Sequence, residues 1–454
     1  MLSEIAAAVG GVLAGDDRAV ASVAIDSRET RPGDLFVAIR GARVDGHDFL
    51  PQAFDAGAAG AIVDGPLEGH PSLVIVGDTA RALLELAADE RETSNVAVVG
   101  ITGSTGKTTV KDLTAAVLGT RMSVHASPRS FNTEIGVPLT LLSAPEEADV
   151  IVCEMGSRGI GHIRLLVGVA RPSVGVVTNV GPAHLEMFGS AERVASAKAE
   201  LVEGLPAEGT AVLNADDPVV RGFAERIQAR VLRYGLAADA EVRGEDLELD
   251  DAGRPSFTLR TPAGDERVEL AIHGEHMASN ALAAAAAGIA LGLSAGECAA
   301  GLKDARLSGW RMEVSDSPEG IRVVNDAYNA NPASMAAALK AASWMARGSR
   351  CIAVLGPMAE LGEASGEEHE RVGELLARLG VAEVVTVGED ARRIAVGATR
   401  EGVEPGRVSV CESRKEALAA VRRLARPGDV VLVKGSRVAG LEWVAAALVE
   451  GEPA

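Results

Sequence analysis

A β-branched apolar run from Asn95 to Ile101 halts at a turn rich in glycine and threonine, and from Thr108 to Leu118 apolar residues return at helical spacing. Strand, tight turn and helix in that order are the context of a phosphate-binding loop, because together they aim consecutive backbone N–H groups and a helix N-terminus at one anion. The turn reads Gly100-Ile101-Thr102-Gly103-Ser104-Thr105-Gly106-Lys107-Thr108-Thr109. The general motif places a glycine five residues before Gly106, where Ile101 stands, so this is the shorter form Gly-x-x-Gly-Lys-Thr-Thr. In this form Gly103, Ser104, Thr105, Gly106 and Thr109 line the phosphate path. Lys107 neutralises the β and γ phosphates and Thr108 offers its hydroxyl to Mg²⁺. A glycine-rich turn with an incidental lysine is the alternative, and the strand before and helix after it argue against that.

Such a loop constrains its surroundings, since it belongs at the carboxyl end of a mainly parallel sheet with helices on its faces. Apolar runs at Val150 to Cys153, Val174 to Val177 and Ala211 to Leu213 alternate with helical stretches such as Ala191 to Leu205. Upstream, Ala21 to Ile25, Asp34 to Ile39, Ala61 to Val63 and Leu73 to Val76 read as strands of a smaller α/β unit that ends with a helix over Thr79 to Arg91. Downstream, Ile321 to Asn325, Cys351 to Leu355, Glu383 to Val387, Arg407 to Val410 and Asp429 to Val433 restart the strand-then-helix pattern. With 454 residues at roughly 100–200 per domain, the fold class is α/β in three domains: 1–92, 93–314 and 315–454, the last Rossmann-like. The uncharged run Met277 to Gly296 is long enough to suggest a membrane span, but its Ala and Gly content, broken by Ser279, Asn280 and Ser294, predicts a tightly packed buried helix.

Lys and Arg number 44 against 64 Asp and Glu, a net charge of −20. That excludes nucleic-acid binding by bulk electrostatics, which needs clustered basic residues on the phosphates. An anionic ligand must be held by local amides, a few basic side chains or metal ions. Cys153, Cys298, Cys351 and Cys411 are too widely spaced for a paired metal motif or a disulfide framework, which predicts a reducing, cytoplasmic setting. Met1-Leu2-Ser3-Glu4 lacks a basic stretch leading into an apolar one, so no secretory signal is expected.

A phosphate loop needs an acidic metal contact on a neighbouring strand. Asp149-Val150-Ile151-Val152-Cys153-Glu154 ends in one, and we assign Glu154 to the metal. The next strand leads through Thr178-Asn179-Val180-Gly181-Pro182-Ala183 to His184. Taken by themselves, His184 and Lys198 in the helix after it read as readily as ordinary packed or solvated residues.

At this point the chain resembles the Mur ligase family, whose phosphate loop has the shortened form. Asp26-Ser27-Arg28, Pro32-Gly33-Asp34-Leu35-Phe36-Val37-Ala38 and Asp45-Gly46-His47-Asp48-Phe49 resemble its uridine-binding domain. Ser130-Phe131-Asn132-Thr133-Glu134-Ile135-Gly136-Val137-Pro138 resembles the loop that meets the UDP-sugar. Gly274-Glu275-His276 with Asn280, and Arg311 followed by Asp326, resemble the nucleotide contacts. Asp326-Ala327-Tyr328-Asn329-Ala330-Asn331-Pro332-Ala333-Ser334-Met335, supported by Lys434-Gly435-Ser436-Arg437, resembles the branch that adds D-alanyl-D-alanine to UDP-N-acetylmuramoyl-tripeptide (UDP-MurNAc-tripeptide).

The resemblance implies an ATP-dependent, Mg²⁺-requiring amide ligase of peptidoglycan synthesis, monomeric, with catalytic Lys107, Lys198 and His184. It implies ATP contacts at Asn280, Arg311 and Asp326, UDP-substrate contacts at Ser27, Arg28, Asn132 and Thr133, and dipeptide contacts at Tyr328, Asn329, Asn331 and Ser334. One Mg²⁺ would sit on Thr108 and Glu154 and another would involve His184 and a carbamylated Lys198, with closure of the last domain bringing Arg311 and Asp326 onto ATP. Chemically, Asn331 and Ser334 also suit an Asn-Pro turn and a helix cap. Two positions depart from the family pattern: Pro357 stands where an aspartate is usual and Thr133 where a second asparagine is. The competing readings are a Mur-type ligase that adds a single amino acid and a non-catalytic P-loop nucleotide-binding protein.

Overall fold

The computed structural model describes residues 1–450 apart from 42–43, 68, 129 and 182–184. It contains three sheets. The first joins Val23–Ala24, Leu35–Val37, Gly60–Val63 and Ser72–Ile75 in parallel, with Val12–Gly15 antiparallel on one edge. Leu2–Ala8, Val12–Gly15 and Leu50–Asp55 belong to this unit although the sequence pattern did not single them out. Each is only four to seven residues long, too short for periodicity to register.

The central sheet has nine strands. Ala97–Thr102 lies between Val150–Glu154 and Val174–Val177, and the parallel pairing continues through Thr210–Asn214 and Arg230–Gly235 to Val242–Leu249. Val150–Glu154 and Thr210–Asn214 are buried along their whole length, as parallel strands covered by helices on both faces must be. Pro255–Thr261 and Gly264–Glu269 extend the sheet as an antiparallel hairpin, an addition to the expected parallel core. The uncharged run becomes the helix His276–Ala290, a turn and the start of Ala295–Lys303, with Ala281 through Ala287 fully buried. Small side chains let this helix pack closely against Lys107–Leu118, so a chain with few aromatics still builds a dense core. No helix among the described residues is long and apolar enough to cross a membrane.

In the third sheet Glu313–Asp316 pairs antiparallel with Arg322–Asn325. Val430–Lys434, Cys351–Leu355, Glu383–Val387 and Val408–Cys411 follow in parallel. The division drawn between 314 and 315 passes through the edge strand Glu313–Asp316 of this sheet. All four cysteines are buried and unpaired. The carboxyl ends of the central strands, bearing Lys107 and Glu154, face the ends of the third sheet, bearing Asp326 and Lys434, across one cleft of about 700 Å³.

Candidate active site

The phosphate loop is stitched to the segment that follows the neighbouring strand Val174–Val177. Asn179 Oδ1 accepts the Thr105 N–H (2.9 Å), its Nδ2 donates to Thr105 Oγ1 (2.8 Å), and Thr178 Oγ1 donates to the Thr105 carbonyl (2.6 Å). Ser104 and Gly181 exchange hydrogen bonds of 3.0 and 2.9 Å. This packing is why Gly103 must be glycine: its φ is +152°, and an added Cβ would lie 1.9 Å from Thr178 Oγ1. Gly106, at φ +79°, caps the helix Lys107–Leu118 without a side chain, and an added Cβ there would lie 2.7 Å from Asn280 Oδ1. The loop is therefore pre-shaped by its neighbours, and Asn280, one of the expected ATP contacts, lies beside it.

Thr108 and Glu154, 46 residues apart, meet: Thr108 Oγ1 donates to Glu154 Oε2 at 2.6 Å. Asn132 Nδ2 donates to Glu154 Oε1 at 2.7 Å, tying the predicted sugar loop to the same carboxylate. Glu154 is 1% exposed. Arg311 Nη2 reaches Thr108 Oγ1 (2.7 Å) and Ser130 Oγ (3.3 Å), and its guanidinium carbon lies 4.2 Å from the centre of the Tyr328 ring. Its Nε is buried with no partner among the described residues, a donor still available to an anionic ligand.

Lys107 donates to the Gly103 carbonyl (2.8 Å). Burial lowers its basicity, Glu154 opposes that and Arg311 adds to it. Lys198 is 1% exposed and donates to Ser157 Oγ at 3.1 Å. Burial, and then the Lys107 charge, push its amine well below the usual lysine range, with Glu154 acting in the opposite direction. The result is two basic groups beside one carboxylate in a site that favours loss of the Lys198 proton. His184 lies outside the described residues.

On the other wall, Lys434 pairs with Asp326 and donates to the Asn329 carbonyl (2.9 Å), while Asp326 Oδ1 accepts the Met312 N–H (3.1 Å). Tyr328, Asn329, Asn331 and Ser334 all line the cleft. Asn331 and Ser334 also form a capping box on the helix Pro332–Met345, Asn331 Oδ1 accepting the Ser334 N–H at 2.9 Å and Ser334 Oγ accepting the Asn331 N–H at 3.0 Å. Thr133 lines the cleft, and its Oγ1 accepts weakly, at 3.4 Å, from the Gly136 N–H.

Ser27 and Arg28 stand apart from the cleft, on the first domain. Ser27 Oγ donates to Gln52 Oε1 (2.7 Å), and the largely exposed Arg28 pairs with Asp26 at 2.6 Å, which holds that carboxyl down at about 2. Asn179, Ser130, Ser157 and Lys434 were not assigned roles from the sequence. Asn179, Ser130 and Lys434 lie within strings already singled out there, but their roles depend on partners 74, 181 and 108 residues away.

A second cavity of about 720 Å³ adjoins the cleft through His276, Ser279, Ala333 and Ala337 and is lined by Leu236, Leu249, Trp344 and Leu379.

A phosphate loop with a strand-end carboxylate, facing a Rossmann-like sheet across a cleft, defines a P-loop ligase architecture, and sequence comparison agrees. Residues 101–288 match the Mur ligase middle domain, 310–437 the Mur ligase glutamate ligase domain, and 19–93 the Mur ligase family catalytic domain. The chain belongs to the Mur ligase family. It is 41% identical to the UDP-N-acetylmuramoyl-tripeptide--D-alanyl-D-alanine ligase of Mycobacterium bovis, the match covering 99% of this chain and 97% of that protein. Among solved structures it resembles MurF from Acinetobacter baumannii (TM-score 0.89, 29% identity, 98% of each chain). It also resembles the MurF ligase of Thermotoga maritima in complex with ADP (TM-score 0.83, 29% identity, 95% of this chain and 97% of that one).

Proposed function

We propose that this chain joins D-alanyl-D-alanine to UDP-MurNAc-tripeptide at the expense of ATP, giving the UDP-MurNAc-pentapeptide precursor of peptidoglycan. The observation that carries the reading is the convergence of Thr108, Glu154 and Arg311 on one point, opposite the segment from Tyr328 to Ser334. A carboxylate is a poor electrophile, so it is activated before an amine attacks it. The loop amides and Lys107 hold the β and γ phosphates in line with the tripeptide's terminal carboxylate, and phosphoryl transfer to that carboxylate gives an acyl phosphate. The dipeptide's amine, positioned by the Tyr328–Ser334 segment, then attacks the acyl carbon and phosphate leaves. Arg311 meets charge as it develops on the transferring group, where a preorganised donor in a closed cleft acts most strongly.

The oxygen donors Thr108 Oγ1 and Glu154, buried and 2.6 Å apart, fit Mg²⁺, which takes one or two carboxylates and completes its shell with phosphates and water. Mg²⁺ held there supplies neutralisation of the β and γ phosphate charge. Burial and the Lys107 charge beside it disfavour the charged form of Lys198, which favours the neutral amine that adds CO₂. As a carbamate it would contribute an anionic oxygen where an ammonium would repel the metal. His276 lies where the cleft, lined also by Asn280, meets the second cavity, which has room for the purine end of the nucleotide. Residues 1–92, with Ser27 and Arg28, hold the uridine end of the substrate, 93–314 ATP, and 315–454 the dipeptide. The protein works as a cytoplasmic monomer.

The test is ADP release that requires both UDP-MurNAc-tripeptide and D-alanyl-D-alanine. Release on adding a free amino acid instead would assign the chain to the single-residue-adding ligases, and nucleotide binding with no acceptor-dependent turnover would make it a non-catalytic P-loop protein. Lys107→Ala should stay folded and lose turnover by about 10²-fold or more.

A further inference from the structure

The link from the central sheet to the third sheet has an uncommon backbone. Trp310 (φ +62°) and Met312 (φ +49°) both lie in the left-handed region, one on each side of Arg311. Residues with a Cβ occupy that region only where their surroundings over-determine it. At Trp310 the N–H donates to Glu313 Oε2 (3.1 Å), the carbonyl accepts the Tyr328 N–H (3.3 Å), and the Arg437 guanidinium carbon lies 4.3 Å from the centre of the indole ring. Arg437 is itself steadied by Glu442, at 2.9 Å. At Met312 the N–H is taken by Asp326. The start of the link is anchored too, because the Ser308 N–H and hydroxyl both donate to Asp112 (2.7 and 3.1 Å) on the helix that begins at the phosphate loop.

Two left-handed residues around one ordinary residue make a compact reversal, and here the reversal throws the Arg311 side chain onto Thr108 Oγ1. Arg311 has few alternatives while the reversal holds and many once it relaxes. We propose that Trp310 is a positioning residue: clamped through its indole by Arg437, it maintains the left-handed link that aims Arg311 at the phosphate loop. Arg437 follows the last strand of the third sheet, so the clamp makes the aim of Arg311 depend on that domain being docked. The kinetic part of this inference rests on the ligase reading; its structural part does not.

Trp310→Gly tolerates the left-handed backbone but loses the clamp, whereas Trp310→Phe keeps an aromatic face for Arg437. Steady-state ADP release should show kcat down about tenfold or more in Trp310→Gly, KM for ATP within about threefold, and kcat recovered to within about threefold in Trp310→Phe. Adding Arg437→Gln to Trp310→Gly should cost no more than about a further twofold, since both act through one contact. A Trp310→Gly enzyme with wild-type kcat, or a double variant with multiplied losses, overturns the proposal. Hydrogen exchange of the substrate-free chain gives an independent answer: peptides spanning 307–313 should exchange faster in Trp310→Gly and at the wild-type rate in Trp310→Phe. Unchanged exchange in Trp310→Gly refutes the clamp whether or not the wild type ligates, while wild-type protein that releases no ADP refutes only the ligase reading.

Discussion

Gly103→Ala should damage the phosphate loop more than any other single methyl added to it. The new Cβ would stand 1.9 Å from Thr178 Oγ1 and 3.1 Å from Thr178 Cβ, at a φ of +152° that residues with a Cβ rarely adopt. Thr178 has little room to yield, because its hydroxyl is donated to the Thr105 carbonyl at 2.6 Å and its N–H to the Thr102 carbonyl at 2.9 Å. Rotating the hydroxyl away sacrifices a buried hydrogen bond, about 1 kcal/mol, and still leaves a crowded Cβ contact costing about 1–3 kcal/mol. The unfavourable backbone region adds about 1–3 kcal/mol, which puts the whole loss at about 3–7 kcal/mol. Urea unfolding of Gly103→Ala, alone and combined with Thr178→Ala, measures this, and calorimetric titration with ATP follows the loop. Thr178→Ala should return about 1–3 kcal/mol by removing the obstructing oxygen. Gly106→Ala is the internal comparison, since the obstacle there is the rotatable end of Asn280, 2.7 Å away. It should cost only about 1–2 kcal/mol of stability while weakening ATP binding. A Gly103→Ala protein within about 1 kcal/mol of wild type, or no recovery in the double variant, would falsify the argument.

Other outcomes follow from the same geometry. Asn331→Ala should lower stability by about 1 kcal/mol through loss of the helix cap, and Asn331→Asp should restore it. If Asn331 also contacts the dipeptide, as proposed, KM for D-alanyl-D-alanine stays raised in Asn331→Asp, and a return to the wild-type value would reduce its role to capping. The fully buried His369 accepts the Met358 N–H at Nε2 (2.9 Å) and donates from Nδ1 to the Ser365 carbonyl (2.6 Å), and burial lowers its pKa from 6.5. The unfolded chain therefore takes up this proton first on acidification. The stability tied to a neutral His369 is complete above pH 6.5, and as pH falls below that it is lost at no more than about 1.4 kcal/mol per pH unit. Urea midpoints should fall less steeply with acid in His369→Gln, and identical pH profiles would exclude the assignment. Carbon-13-labelled bicarbonate should give a carbamate resonance in the wild type that is missing from Lys198→Ala; no signal in the wild type would leave Lys198 a plain buried amine.

Local order was the legible part of the fold. The strand Val174–Val177, the helix beginning at Ala191 and the strand-then-helix rhythm of the third sheet are set by apolar periodicity within a few residues. The hairpin Pro255–Thr261 and Gly264–Glu269 was not legible, because Gly264–Glu269 is exposed and charged along most of its length and carries little apolar pattern. In the site, the phosphate loop could be read because its chemistry is contiguous. Its fastening by Asn179 and Thr178, the Asn132 bond to Glu154 and the Lys434–Asp326 pair could not, since each joins residues at least 22 positions apart. Asn331 and Ser334 were legible both as a cap and as cleft residues, and the structure has them doing the first while lining the second.

By itself, then, the sequence determined the motif, its strand and helix, the acidic surface that forces anions into local sites, and the family that these strings resemble. Tertiary structure alone decided that Thr108, Glu154, Asn132 and Arg311 share one point, that Lys198 is buried beside Lys107, and that Ser27 and Arg28 lie away from the cleft. The physical reason is range. Backbone propensity and side-chain period act over a few residues, whereas desolvation, charge pairing and the left-handed link at Trp310 arise only when segments distant in the chain are packed together.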